Sequence, residues 1–193
     1  MQSFLTNSDL TTNASILDSK RLFKMVLENK QVLDVIINNK KAWSNHPVTR
    51  MWRDYPIALH KYIESCWIEC QKRNIAVHSK LFAESNDLIA KLKNQELIWP
   101  KWIHRTDIHS SHRSRLLCKG FIDALCVDLK RDLKIKKMND WLKLHYKKEK
   151  NQLKYDDALK IMRDYPLVSP ATPNYYDQFR WNDDIRAEYI WPF

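Results

Sequence analysis

Along most of this chain apolar residues recur at the three- and four-residue spacing of helices, not the two-residue spacing of strands. Between Asp18 and about Asn38, Leu22, Met25, Val26, Val32, Leu33, Ile36 and Ile37 fall on one arc. That spacing predicts a long helix, capped by Asp18, with the arc turned to the core. Ser8 or Asp9 is placed to cap a shorter helix before it. Asn45-His46-Pro47 breaks the pattern, and Pro47 suits a first helical position. Met51, Trp52, Tyr55, Leu59, Ile63, Cys66, Trp67 and Cys70 then form a second apolar stripe, which Pro56 is expected to kink or split.

A further helix is expected from about Ser79 to Leu92, followed by the irregular stretch Ile98-Trp99-Pro100-Lys101-Trp102. Ser110 or Ser111 is placed to cap a helix carrying His112, Arg113, Arg115, Leu116 and Leu117. Beyond Lys119 the chain turns Lys-rich and helix-prone, then passes through a loop from Pro166 to Pro173 into an aromatic tail. With no internal repeat and no strand pair, the expected fold is all-α. It reads as a single domain over residues 1–193, with a basic helical insertion at about 121–165 and the tail at about 174–193.

Composition narrows the chemistry. The 193 residues include one Gly, Gly120, and eight Trp. A single Gly rules out the G-x-G-x-x-G turn and the phosphate-cradling P-loop, since both need several positions without a Cβ. Lys+Arg 33 against Asp+Glu 23 gives a net charge of +10, which favours a polyanionic partner such as nucleic acid. The start, MQSFLTNSDL, lacks the basic and apolar regions of a signal peptide, and no apolar run is long enough for a membrane span, so an intracellular protein is expected. Neither Cys66 with Cys70 nor Cys118 with Cys126 has C-x-x-C spacing, which reads as reduced, buried thiols. Asn13-Ala14-Ser15 fits the glycosylation pattern incidentally.

Three polar groups stand out. On the first long helix Lys20, Arg21, Lys24, Glu28 and Gln31 gather opposite the apolar arc, placing one carboxylate among three cations. Such a face is either a solvated ion-pair surface or an anion-binding face whose embedded acid acts on a sugar or base. His109-Ser110-Ser111-His112-Arg113-Ser114-Arg115 forms a second cluster, suited to phosphate contact at a helix start or to a plain polar helix end. It has too few ligand types nearby for a metal, so neither metal nor cofactor is expected. His46 and Arg50, in His46-Pro47-Val48-Thr49-Arg50-Met51-Trp52, are placed to reach one groove, with Met51 and Trp52 assigned to the core. Terminal Trp and Tyr residues either pack or stack on unpaired bases.

Taken in order, Met1-Gln2-Ser3-Phe4-Leu5, Leu17-Asp18-Ser19-Lys20-Arg21-Leu22-Phe23-Lys24 with Glu28 and Gln31, His46 to Trp52 with Tyr55, His109 to Ser114, and Tyr189-Ile190-Trp191-Pro192 resemble a bacterial family. That family is described as pyrimidine-dimer DNA glycosylase-like and is distantly similar to the phage endonuclease of the endonuclease V type. The resemblance covers nearly the whole chain except roughly residues 121–165. It implies a compact helical DNA-repair fold acting on double-stranded DNA as a monomer. It also implies base release and AP-lyase cleavage, in which an N-terminal amine attacks the deoxyribose C1′ with help from a Glu on the first long helix. Glu28 stands at the matching place, and Arg21, Lys24, Arg113 and His112 would contact phosphates. The phage enzyme exposes a small residue after Met removal, whereas Gln2 is large. The nucleophile is therefore the Met1 amine, a lysine such as Lys20 or Lys24, or water activated by Glu28. A catalytically inactive nucleic-acid-binding protein of the same fold, or an RNA-directed hydrolase, is the competing reading.

Overall fold

Polar caps start the first helices in the computed structural model, which describes residues 3–77, 79–92, 95–116, 119–120 and 189–193. Asp9, not Ser8, accepts the Thr12 amide at 2.6 Å and opens α1 (Leu10–Ile16). Asp18 accepts the Arg21 amide at 3.0 Å and opens α2 (Ser19–Ile37). Pro47 takes the first position of α3 (Pro47–Trp52), where its missing N–H removes no helical bond. Pro56 does the same for α4 (Pro56–Lys72), so the second stripe is split into two helices and not merely kinked. α5 spans Ser79–Ala90. Among the described residues there is no strand, as the all-α expectation requires.

With one Gly in the chain, left-handed helix ends fall to Asn. Asn39 (φ 47°) follows α2 and Asn74 (φ 53°) follows α4. In each case the next amide reaches back five residues, Lys40 to the Val35 carbonyl at 3.1 Å and Ile75 to the Cys70 carbonyl at 2.9 Å. This is the closure usually given to Gly, and Asn tolerates it because its short polar side chain limits the steric cost.

α2 packs against α3, α4 and α5, while α4 also packs on α1 and α5. Leu22, Met25, Val26, Val32 and Leu33 are buried as expected; Val35 is buried as well, and Ile36 and Ile37 are only half-buried. A 3.6-residue repeat drifts off the arc by the last turn, which brings Val35 under cover. Trp52 stands edge-on to Trp102 (5.1 Å between ring centres) and lies near Tyr62 (6.4 Å). Trp67, Phe82 and His60 stack in one pile across α4 and α5. Cys66 and Cys70 are buried free thiols; burial holds the Cys66 pKa well above its usual value and that of Cys70 at about 11. Arg73, at the end of α4, donates to the Leu17 and Ser15 carbonyls and pairs with Glu69, closing the end of α1.

The segment before α1 is the most heavily tied part of the core. Asn13 is buried, and its side-chain oxygen accepts from the amide of Thr6 and, at 2.9 Å, from its hydroxyl. Phe4 donates its amide to the Met25 sulfur at 3.4 Å and gives its carbonyl to the Tyr62 hydroxyl. Ser3 accepts from the Trp52 indole at 3.3 Å. Residues 3–6 are thereby held by α1, α2, α3 and α4 at once. The amide of Asn13, the glycosylation-like position, is committed to this work inside the protein.

The chain divides into two compact units, Met1–His109 with Ile190–Phe193, and Ser110–Tyr189. Residues 106–116 are helical, so Ser110 and Ser111 lie within a helix that starts five or six residues earlier than the sequence predicts. Ser114 bonds back to the Ser110 carbonyl at 3.0 Å, in the manner of a mid-helix serine and not a cap. Met1, Cys118, Cys126, the segment at about 121–165 and the tail up to residue 188 lie outside the described residues.

Because the Tyr62 hydroxyl serves a buried carbonyl, Tyr62→Phe is expected to lower stability by about 1–3 kcal/mol. Urea unfolding measures this directly; an unchanged midpoint would mean that the bond contributes nothing.

Candidate functional site

The polar face of α2 has the composition the sequence predicts, but its cations are not equivalent. Lys20 and Lys24 are exposed. Arg21 is half-buried and its guanidinium pairs with the Asp18 carboxylate at 2.7 Å, so it braces the start of the helix. Glu28 is half-buried one turn beyond Lys24. Lys30, on the flank of the same helix, is drawn away to Glu84 on α5.

His46 comes to this face from the start of α3. As N-cap it accepts the Val48 amide on Nδ1 at 3.2 Å, a role that requires this nitrogen to be unprotonated. Burial pushes its pKa down, the positive charge of the N-terminal amine adds to that, and the Glu28 carboxylate pulls the other way. Glu28 and His46 therefore share one electrostatic neighbourhood. Arg50 follows one turn after His46 and is exposed. Its guanidinium lies over the Phe193 ring, 3.9 Å from the ring centre, and Trp191 stacks with the same ring at 6.5 Å. A cation held over a ring loses less freedom when it binds a phosphate than one on an untethered stem.

The sequence reading passed over Trp43. It is 55% exposed, its ring lies 5.3 Å from that of His46, and its φ is 66°. It occupies the third position of the turn closed by the Ser44 amide on the Lys41 carbonyl at 3.3 Å, a place that type II turns give to Gly or Asn. Holding a bulky residue there costs on the order of 1 kcal/mol or more. The turn is braced by the His46 amide on the Trp43 carbonyl (3.0 Å) and by Arg53 on the Ser44 carbonyl (2.6 Å). The sequence signal was a Trp in a short break that holds no Gly.

The second cluster is placed differently from what its sequence predicts. His109, Ser111, His112 and Ser114 are buried, and His112 stands edge-on to Tyr189 at 5.1 Å. Arg113 is half-buried, which lowers its pKa, and Arg115 lies 5.3 Å from the Tyr189 ring centre. No helix start presents amides here, so the charge of this cluster resides in Arg113 and Arg115. Among the described residues no group of three or more His, Cys, Asp or Glu is arranged to hold a metal ion, and no helix is long and apolar enough to cross a membrane.

Residues 1–83, somewhat under half of the chain, match a family model described as pyrimidine dimer DNA glycosylase. The matched span holds Glu28, His46, Arg50 and Trp43. No curated protein and no solved structure matches the chain.

The depressed pKa of His46 has a measurable consequence. Above its ordinary value of 6.5 the imidazole is neutral in both folded and unfolded chains; below it the unfolded chain takes the proton first. Stability is therefore expected to fall as pH drops below about 6.5, levelling once the folded imidazole also protonates. In His46→Asn, which caps without titrating, this part of the fall in Tm between pH 7 and pH 5 should vanish. Parallel Tm profiles for the two proteins would show that His46 does not carry it.

Proposed function

We propose that this chain is a DNA glycosylase with AP-lyase activity, acting as a monomer on pyrimidine dimers or modified bases in double-stranded DNA inside the cell. The observation that carries the reading is the anchored start of the chain. Residues 3–6 are fixed by Trp52, Tyr62, Met25 and Asn13, beside the α2 and α3 faces that bear Glu28 and His46. A segment held so firmly is a suitable mount for a reacting amine, because positioned groups avoid the entropy loss of a two-body encounter. The family match over residues 1–83 supports the same reading.

In this scheme the neutral N-terminal amine attacks the deoxyribose C1′. The glycosidic bond breaks, its electron pair leaves with the base, and the base takes up a proton. Loss of the amine proton and opening of the C1′–O4′ bond give a Schiff base. Removal of a C2′ proton then expels the 3′ phosphate by β-elimination, and water hydrolyses the imine to restore the amine. Glu28 stabilises the positive charge that develops at C1′. An α-amine suits the first step, since with a pKa near 7.7 to 8.0 a useful fraction is unprotonated at neutral pH. Lys20, Lys24 and Arg50 hold phosphates on either side, with His46 beside them; in the second unit Arg113 and Arg115 are the cations suited to phosphate contact, while His109 and His112 are buried. No step needs an oxidant, a metal or a cofactor.

Glu28→Gln is expected to slow base release by at least about 10²-fold while leaving duplex affinity within a few-fold. Borohydride added during reaction with an abasic-site duplex should trap a covalent adduct, and peptide mass analysis should locate it at the N-terminus. An adduct on Lys20 or Lys24 would reassign the nucleophile; base release at full rate in Glu28→Gln would remove the carboxylate from the mechanism.

A further inference from the structure

Trp43 is the exposed aromatic residue whose surroundings are hardest to account for by packing alone. Its ring is more than half exposed, yet the backbone that presents it is held in a conformation any Gly would adopt more readily. That conformation is not slack, because Arg53 and the His46 amide tie the turn on both sides. The ring lies 5.3 Å from that of His46, tilted by 55°. Lys41, two positions before Trp43, and Arg50, one turn after His46, are both exposed, in a protein of net charge +10. An exposed indole on a braced turn of a strongly basic protein is matched to an unstacked nucleobase, which offers a flat π-face and arrives on a polyanion.

We propose that Trp43 stacks on a nucleobase that has lost its neighbours where the duplex opens at the reacting nucleotide. The inference rests on the glycosylase reading, since such an enzyme must expose the C1′ it attacks and disrupt stacking there. The indole replaces part of the stacking that the duplex gives up, and the His46 ring behind it keeps the indole from turning away. Trp43 thereby makes the site select DNA that is already easy to open, in which a base is missing, damaged or mispaired. Lys20, Lys24 and Arg50 supply the attraction shared by all sequences, and Trp43 supplies the preference.

The test compares two duplexes, one intact and one carrying a stable abasic-site analogue opposite 2-aminopurine, with wild type, Trp43→Phe and Trp43→Gly. Gly suits a φ of 66°, so Trp43→Gly removes the ring without straining the turn, and a thermal melt confirms its fold. Wild type should bind the abasic duplex more tightly than the intact one and quench its 2-aminopurine. Trp43→Gly should lose about 10- to 100-fold in affinity for the abasic duplex, brighten the 2-aminopurine, and keep both its affinity for intact DNA and its salt dependence. Trp43→Phe should lie between. Equal losses on both duplexes, or no loss on either, would overturn the role of Trp43. Wild type that shows no preference for the abasic duplex and releases no base would instead overturn the glycosylase reading beneath it.

Discussion

Burial of residues 3–6 is the constraint on which the rest of the structure depends. The first residues of a chain normally fray, since ordering each costs roughly 1–2 kcal/mol of backbone entropy. Here Phe4 and Leu5 are fully covered, which returns about 1.5–3 kcal/mol each, and the bonds from Asn13, Met25, Trp52 and Tyr62 add about 0.5–1.5 kcal/mol apiece. The balance favours order only because all of the partners are present together. Four helices must therefore be in place before the segment is fixed, and once fixed it locks their spacing. Fold and candidate chemistry are coupled through the same few side chains.

Much of this architecture can be read in the sequence where the determinants are local. Asp9 and Asp18 accept amides within a turn of themselves, Pro47 and Pro56 bring a preset φ to a first helical position, and each starts a helix as its residue type dictates. The α2 arc and its charged face follow from a single periodicity. The ties on residues 3–6 do not, because Phe4 and Tyr62 are 58 positions apart and nothing local in either marks the pairing. The helix over residues 106–116 was misplaced for a related reason. Ser110 and Ser111 resemble a cap, but the residues before them continue the helix, and a serine inside a helix bonds its own backbone instead.

The shortage of Gly shapes the site as well as the helix ends. At Asn39 and Asn74 the left-handed conformation is handled by the residue next best suited to it, and the backbone bonds that follow compensate the cost. Trp43 has no comparable justification in its own side chain. The bracing by Arg53 and His46 is what keeps the turn closed, so the strain is supported from outside. Sequence pattern alone cannot show this, since φ at a non-Gly residue is set by the bonds around it.

The cations of the site divide their labour according to how they are held. Lys20 and Lys24 are exposed ammonium groups, which in the proposed reading attract a phosphate backbone without fixing its register. Arg21 is already engaged with Asp18, so its first service is to the helix that carries Glu28. Arg50 differs from all three: it is exposed like the lysines, but its guanidinium sits over the Phe193 ring, 3.9 Å from the ring centre. In the proposed reading, register on DNA therefore falls to Arg50, one helical turn from His46. Under the proposed reaction, a backbone fixed at that point would set how far the neighbouring sugar lies from Glu28, the distance on which charge stabilisation at C1′ depends.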